Sequence, residues 1–301
     1  MTTLKQLKPV LNSLKSKCRP ILNNVYVENG KMVMTDMETT LEVNDCFNLE
    51  EGFHAIETLG LIGANKEISK DDYPLIDFTF DYPVDQFKWS QNSIESFLPF
   101  TSNDETRIFL NGIAVNDGHL VATTGHILKY EKIDNDITSN YIMPRTSLKI
   151  LNNLLKKFKV KEDITIKLNE GYMLTKNEYF TFKCRLIQRD YPKWLAVVPT
   201  KYAHEFVIDN KLDVKELKPL FNPRTNGIKI TLLSGKVFAA ISGYDQNYLI
   251  GHCDEDLDFT IGVNAMYLDT CLNGSNISVV KFNNGLSPML ANNNIVMPLK
   301  I

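Results

Sequence analysis

The sequence of 301 residues contains five cysteines, Cys18, Cys46, Cys184, Cys253 and Cys271, and five histidines. Thiols, imidazoles and carboxylates are the raw material of nucleophilic catalysis and of metal sites. Cys184 with His126 could form a nucleophile and base, and the acidic runs at 71–73 and 254–258 could offer oxygen ligands to a cation. Spacing supports none of these. No Cys-x-x-Cys pair occurs, so neither a zinc site nor a dithiol redox site is written here. There is also no nucleophile elbow, phosphate-binding glycine loop or His-Glu-x-x-His run. The cysteines therefore read as reduced, mostly buried thiols. The expectation is a protein that is not an enzyme and that uses no metal and no cofactor.

A second kind of chemistry is electrostatic. Leu4, Leu7, Leu11 and Leu14 recur at helical spacing, and Lys5, Lys8, Asn12 and Lys15 follow them one residue later. Leu148, Leu151, Leu155 and Phe158 repeat the stripe, shadowed by Lys149, Asn152, Lys156 and Lys159; Val214, Leu217 and Phe221 are shadowed by Lys215, Lys218 and Asn222. One such row is usually a solvated face. Three rows in the same angular relation to the core stripe, one per third of the chain, weigh against that reading. Net charge is only −3, so any basic surface must be local and offset by acid elsewhere.

The elements that carry these rows repeat as well. "GKMVMTD" (30–36), "GHLVATT" (118–124) and "GKVFAAI" (235–241) each follow an apolar segment and a turn at Asn29-Gly30, Asp117-Gly118 or Ser234-Gly235. Each reads as a β-hairpin, because glycine accepts the positive φ such turns need. The separation of the glycines is too large for a solenoid unit of about 20–50 residues and fits copies of a whole domain. Second helices are expected at 53–62, 93–100 and 264–272. Each third then reads as an α+β unit with an antiparallel sheet and two helices, over residues 1–84, 85–200 and 201–301. Asp-Tyr-Pro at 72–74 and 190–192 marks the extended exits of the first two units. No apolar run approaches the ~18 residues needed to span a bilayer, the first residues lack the apolar core of a signal peptide, and a cytoplasmic location is expected.

Specific words then appear. "RIFLNGI" (107–113) followed by "LVATTGHIL" (120–128) resembles the second domain of the bacterial sliding clamp, the β subunit of the replicative DNA polymerase. "CRPILNNV" (18–25), "LIQRDYPKWLAVVP" (186–199) and "NIVMPLKI" (294–301) resemble further segments of that family, in family order. The resemblance runs over essentially the whole chain, with a short first domain. It implies three clamp-type domains arranged as an arc, and two chains closing head to tail into a ring around double-stranded DNA, which is held without regard to sequence.

By that resemblance Lys15, Lys17, Arg19, Arg107, Arg145 and Lys149 face DNA, and Phe109 lies either against DNA or in the core. A pocket between domains two and three takes linear peptides of the DNA polymerase and the clamp loader. It matches Leu110, Thr123, Gly125, His126, Leu128, Pro192, Val197, Ile295, Val296, Met297, Pro298 and Leu299. Thr124, Ile127 and Ala196 stand where the family carries charged residues, which implies a more apolar rim. The competing reading is a clamp-fold adaptor that binds polymerase peptides without encircling DNA.

Overall fold

The structure is a computed structural model that describes residues 2–74, 78, 85–135, 137–209, 226–241, 247–272, 275 and 277–300. The chain divides into two compact units, one of residues 1–120 and 132–190, the other of 121–131 and 191–301.

In the first unit, helix α1 (Leu4–Ser13) opens with Thr3, whose side chain accepts from the Gln6 amide while the Gln6 side chain accepts from the Thr3 amide. That reciprocal cap satisfies two donors that a helix start leaves open. The expected stripe is real at Leu7, Leu11 and Leu14, all buried. Strands β1 (Asn24–Glu28), β2 (Lys31–Thr35), β3 (Thr39–Val43) and β4 (Gly52–Ala55) follow. Next come β5 (Asp85–Trp89), α2 (Gln91–Phe97) and β6 (Gly112–Asn116), then β7 (His119–Thr123) and β8 (Ile127–Lys132), most of whose residues belong to the second unit, and, again in the first, β9 (Tyr141–Pro144) and α3 (Arg145–Phe158). Strands β10 (Ile164–Leu168), β11 (Tyr172–Lys176) and β12 (Phe180–Arg185) close the unit. Its main sheet is antiparallel, in the order β4-β1-β2-β3-β12-β11-β10-β5.

The second unit holds β13 (His204–Ile208), β14 (Gly227–Leu233), β15 (Lys236–Ile241), β16 (Asn247–His252), β17 (Phe259–Asn264) and α4 (Ala265–Leu272). It ends with β18 (Ser278–Phe282), β19 (Met289–Ala291), β20 (Asn294–Val296) and the short β21 (Pro298–Leu299). Its strands run in the order β21-β17-β14-β15-β16-β13-β18-β19-β20-β8.

All three expected hairpins are present. Their turns share one conformation, with φ of 52° and 73° at Asn29-Gly30, 50° and 71° at Asp117-Gly118, and 48° and 74° at Ser234-Gly235. Positive φ at both central residues is the mirror-image turn whose twist matches that of antiparallel strands. A connection order recurs with the turns: β4-β1-β2-β3 in the first third and β17-β14-β15-β16 in the last. In the middle third β9 pairs with β6, which turns into β7 and then β8.

Expected helices at 93–100 and 264–272 are observed as α2, extended by a 3-10 turn at Leu98–Phe100, and as α4. The one expected at 53–62 is not a helix. Phe53 and His54 are buried in β4, opposite Tyr26 and Val25, and the Tyr26 and Phe53 rings lie 4.7 Å apart. Cross-strand aromatic packing there outweighs a helical pattern less than three turns long, and Gly60 at φ 78° ends the run in turns. The third lysine row, with Lys215 and Lys218, lies outside the described residues, as does Ile301.

Candidate functional site

The residues expected to face DNA all belong to the first unit. Arg19 and Arg107 take the same local position, each the cap residue before a 3-10 turn, at Pro20–Asn23 and Ile108–Leu110. The Leu22 amide donates to the Arg19 carbonyl and the Leu110 amide to that of Arg107. Arg107 Nε binds Asp104 Oδ2 at 2.8 Å. Thr106 and then Arg107 hold the Asp104 carboxyl down at about 2. Arg145 opens α3, its amide donating to Asn111 O and its guanidinium to Asn103 Oδ1. Its buried Nε has no hydrogen-bond partner among the described residues. Burial disfavours charge at Arg145, and burial together with the neighbouring Arg145 lowers Lys149. The loop 102–111 thus holds Arg107 against the Asp104 carboxylate, and the start of α3 sets Arg145 beside Lys149.

The lysine rows need two corrections. On α3 the exposed row is Thr146, Lys149, Asn153, Lys156 and Lys157; Asn152 is buried and accepts from Gln91 Nε2 at 2.7 Å. The one-residue offset placed Asn152 about 100° from the core stripe, but α2 packs on that side of α3 and covers it. Lys15 lies beyond the end of α1 rather than on it. Lys15 and Lys8 converge on Glu57, Lys15 Nζ on the carboxylate at 3.1 Å and Lys8 Nζ on the backbone carbonyl at 2.8 Å. Lys17 and Arg19 are exposed, and the Arg19 guanidinium lies 2.9 Å from the Met37 sulfur. Phe109 is half-buried, outside the core.

Of the residues expected to hold a peptide, Leu110 is buried in the first unit and the others belong to the second. The turn 123–127 is a network of its own. Thr123 Oγ1 donates to the Ile127 carbonyl at 2.7 Å and accepts from the Gly125 amide at 2.9 Å. Gly125 sits at φ 91°, a value side chains rarely adopt. The His126 carbonyl receives the Met297 amide at 2.8 Å, and β20 adds to β8 with Ile295 opposite Leu128 and Val296 opposite Ile127.

This pairing buries Leu128, Ile127, Ile295 and Val296 completely, so they support the site instead of lining it. The apolar rim expected from Ile127 is corrected by the same fact: isoleucine here is a core residue, because β20 covers it. What remains accessible is His126 and Gly125, with Met297, Pro298 and Leu299 half-buried and Pro192, Ala196 and Val197 exposed. Sequence reasoning missed Tyr267 on α4, whose ring stacks on His126 at 5.4 Å, and Leu195, 53% exposed beside Trp194. Trp194 is buried against Tyr130, 5.2 Å between ring centres. Two neighbouring aromatic signals, Tyr130 and Trp194, were legible in the sequence; Tyr267 is brought in only by the fold.

The one thiol weighed as a nucleophile is inert. Cys184 is buried in the first unit and its thiol is pushed up to about 12 by burial, which keeps it protonated. His126, its imagined base, belongs to the other unit and stacks on Tyr267. Among the described residues no cluster of metal-ligating side chains occurs. No helix of the described residues is long and apolar enough to cross a membrane.

Residues 90–193 match the family described as DNA polymerase III beta subunit, central domain. No curated protein matches the sequence. Solved structures match over the full length. A sliding clamp (DNA polymerase III subunit beta) from Bartonella birtlesii, bound to griselimycin, superposes with a TM-score of 0.80 at 20% identity, covering 100% of this chain and 98% of that one. The DNA polymerase III beta subunit of Thermotoga maritima gives 0.79 at 18% identity, covering 99% and 97%. The Helicobacter pylori beta clamp bound to a DNA ligase peptide gives 0.77 at 20% identity, covering 99% of each chain. The chain has the sliding-clamp fold from end to end.

Proposed function

We propose that this protein is a DNA sliding clamp: a non-enzymatic processivity factor that encircles duplex DNA as a head-to-tail dimer and tethers a polymerase through a linear peptide. The observation that carries the reading is the full-length correspondence with solved clamps, reinforced by the family match over 90–193. Three domains, at about 1–84, 85–200 and 201–301, are part of the proposal.

A ring stays on DNA by topology, so its inner surface should hold phosphates weakly. Lysines on flexible stems suit this, because each is a hydrated point charge without a preferred bidentate geometry. Lys15, Lys17, Arg19, Arg107, Arg145 and Lys149 are the proposed contacts. Peptide tethering is assigned to Thr123, Gly125, His126, Pro192, Val197 and Met297 to Leu299, over the buried Leu128, Ile295 and Val296. The half-exposed Met297 and Pro298, with the His126–Tyr267 stack, would meet apolar side chains directly. The Helicobacter pylori clamp bound to a ligase peptide is the precedent for such a partner.

The reading is tested by loading the protein on nicked circular duplex with its clamp loader and passing it through gel filtration. Retention on the circle and loss from the linearised duplex is expected; equal retention on both would overturn it. Deleting 297–301 should abolish peptide binding without unfolding the chain, as checked by circular dichroism.

One observation favours a second reading, an adaptor that does not encircle DNA. β12 joins the sheet at β3, and β20 joins β8. Each joining strand follows a helix, α3 or α4, and two further strands. Among the described residues of 56–74 there is neither a helix of that kind nor a named strand, so no piece that would make a third such join occurs among the described residues of the first third. Sedimentation separates the readings: a stable dimer at micromolar concentration favours the ring, a persistent monomer the adaptor.

A further inference from the structure

The turn at 35–39 reproduces, bond for bond, the turn at 123–127. Thr35 Oγ1 donates to the Thr39 carbonyl at 3.1 Å and accepts from the Met37 amide at 2.9 Å, as Thr123 does with Ile127 and Gly125. Asp36 Oδ1 accepts from the amides of Glu38 and Thr39, as Thr124 Oγ1 does from those of His126 and Ile127. The Glu38 carbonyl receives the Arg185 amide at 2.8 Å, the counterpart of Met297 on His126. Tyr73 of Asp72-Tyr73-Pro74 meets the Thr35 amide at 3.3 Å, and Tyr191 of Asp190-Tyr191-Pro192 meets the backbone of Thr123. The frame proposed to receive a peptide at 123–127 and 295–299 therefore exists twice, the other copy lying wholly within the first unit.

The two copies differ in what fills them. Met37 stands at φ 77° in the place of Gly125, a conformation that favours glycine and is costly for a side chain. Its side chain packs against the buried cluster of Leu22, Tyr26, Phe53 and Tyr73. The counterparts in the next repeat are smaller where they differ: Ala114 for Tyr26 and Ile142 for Phe53, each pair facing its partner in equivalent register. A methionine thus stands in a backbone conformation that disfavours it and covers that cluster with its side chain.

We propose that Met37 is a built-in plug: it occupies, at the junction of β3 and β12, the position that an apolar anchor side chain of a linear peptide would take, and so keeps a second peptide site closed. This rests on the peptide reading of the turn at 123–127. The plug is braced by Arg19, whose guanidinium lies on the Met37 sulfur. The ligand of the opened site would be an extended peptide with one unbranched or leucine-like anchor.

The test is titration calorimetry with the Helicobacter pylori DNA ligase peptide, reading the difference in stoichiometry between Met37→Gly and wild type. One additional peptide per chain in Met37→Gly, and none in Met37→Leu, supports the plug; an unchanged stoichiometry in Met37→Gly overturns it. The increment is independent of the site at 123–127. Its own failure would appear as no binding by wild type, with Met37→Gly still binding one if the plug is real and none if it is not. Glycine suits φ 77°, but should Met37→Gly fail to fold, Met37→Asn, which tolerates a positive φ and removes the apolar side chain, must give the same increment.

Discussion

Single residues act here through their charges and the nearest partners of those charges. The Glu57 carboxylate holds Lys15, so Glu57→Gln should release that charge toward phosphate and tighten duplex binding several-fold at low salt, with a steeper salt dependence, while Lys8 stays on the Glu57 backbone carbonyl. Lys149→Ala should weaken binding to all sequences alike and lower the salt slope by about 1, measured by fluorescence anisotropy. The carboxyl of Asp104 is depressed to about 2, so what it contributes to the loop 102–111 is present above its ordinary 3.8 and is lost as pH falls through about 2. Hydrogen exchange of that loop should accordingly be unchanged down to about pH 4 and rise below it. In native protein, alkylating reagents should modify the exposed Cys18 and spare Cys184 and Cys271, whose thiols burial raises to about 12. Among these residues the sequence made the basic ones legible, because charge is written in residue type. It could not show that Ile127, Leu128, Ile295 and Val296 are buried, since that depends on β20 reaching β8 across more than 160 residues.

At the scale of elements, the three hairpins and α1, α2, α3 and α4 were readable, since each is set by local rules: paired positive φ at a turn, apolar residues at helical period, a capping threonine. The failure at 53–62 is instructive, because β4 is fixed by β1, about 30 residues earlier, and periodicity carries no record of that partner. Local rules also scale the expected losses. Leu151 is fully buried on α3, and Leu151→Ala should cost about 2–5 kcal/mol in denaturant unfolding. Gly118→Ala meets no atom within 4 Å, so only its φ of 71° opposes it, and the cost should be about 1–2 kcal/mol. A much larger loss at Gly118 would mean that the turn does more than connect β6 to β7.

For the whole molecule, sequence and fold converge by different routes on one architecture. The repeated words of the chain become repeated hydrogen-bond networks, at 35–39 and 123–127, and repeated strand joins, β12 to β3 and β20 to β8. Weak phosphate contacts and topological linkage belong together: a protein that held DNA by affinity alone would release it at high salt, whereas a closed ring would not. The central claim is therefore tested most directly by retention on closed DNA. Protein loaded on nicked circular duplex and washed at high salt should stay bound until the circle is cut, then leave within the time of one gel-filtration run. Release from the uncut circle at the same rate as from linear duplex would contradict the account.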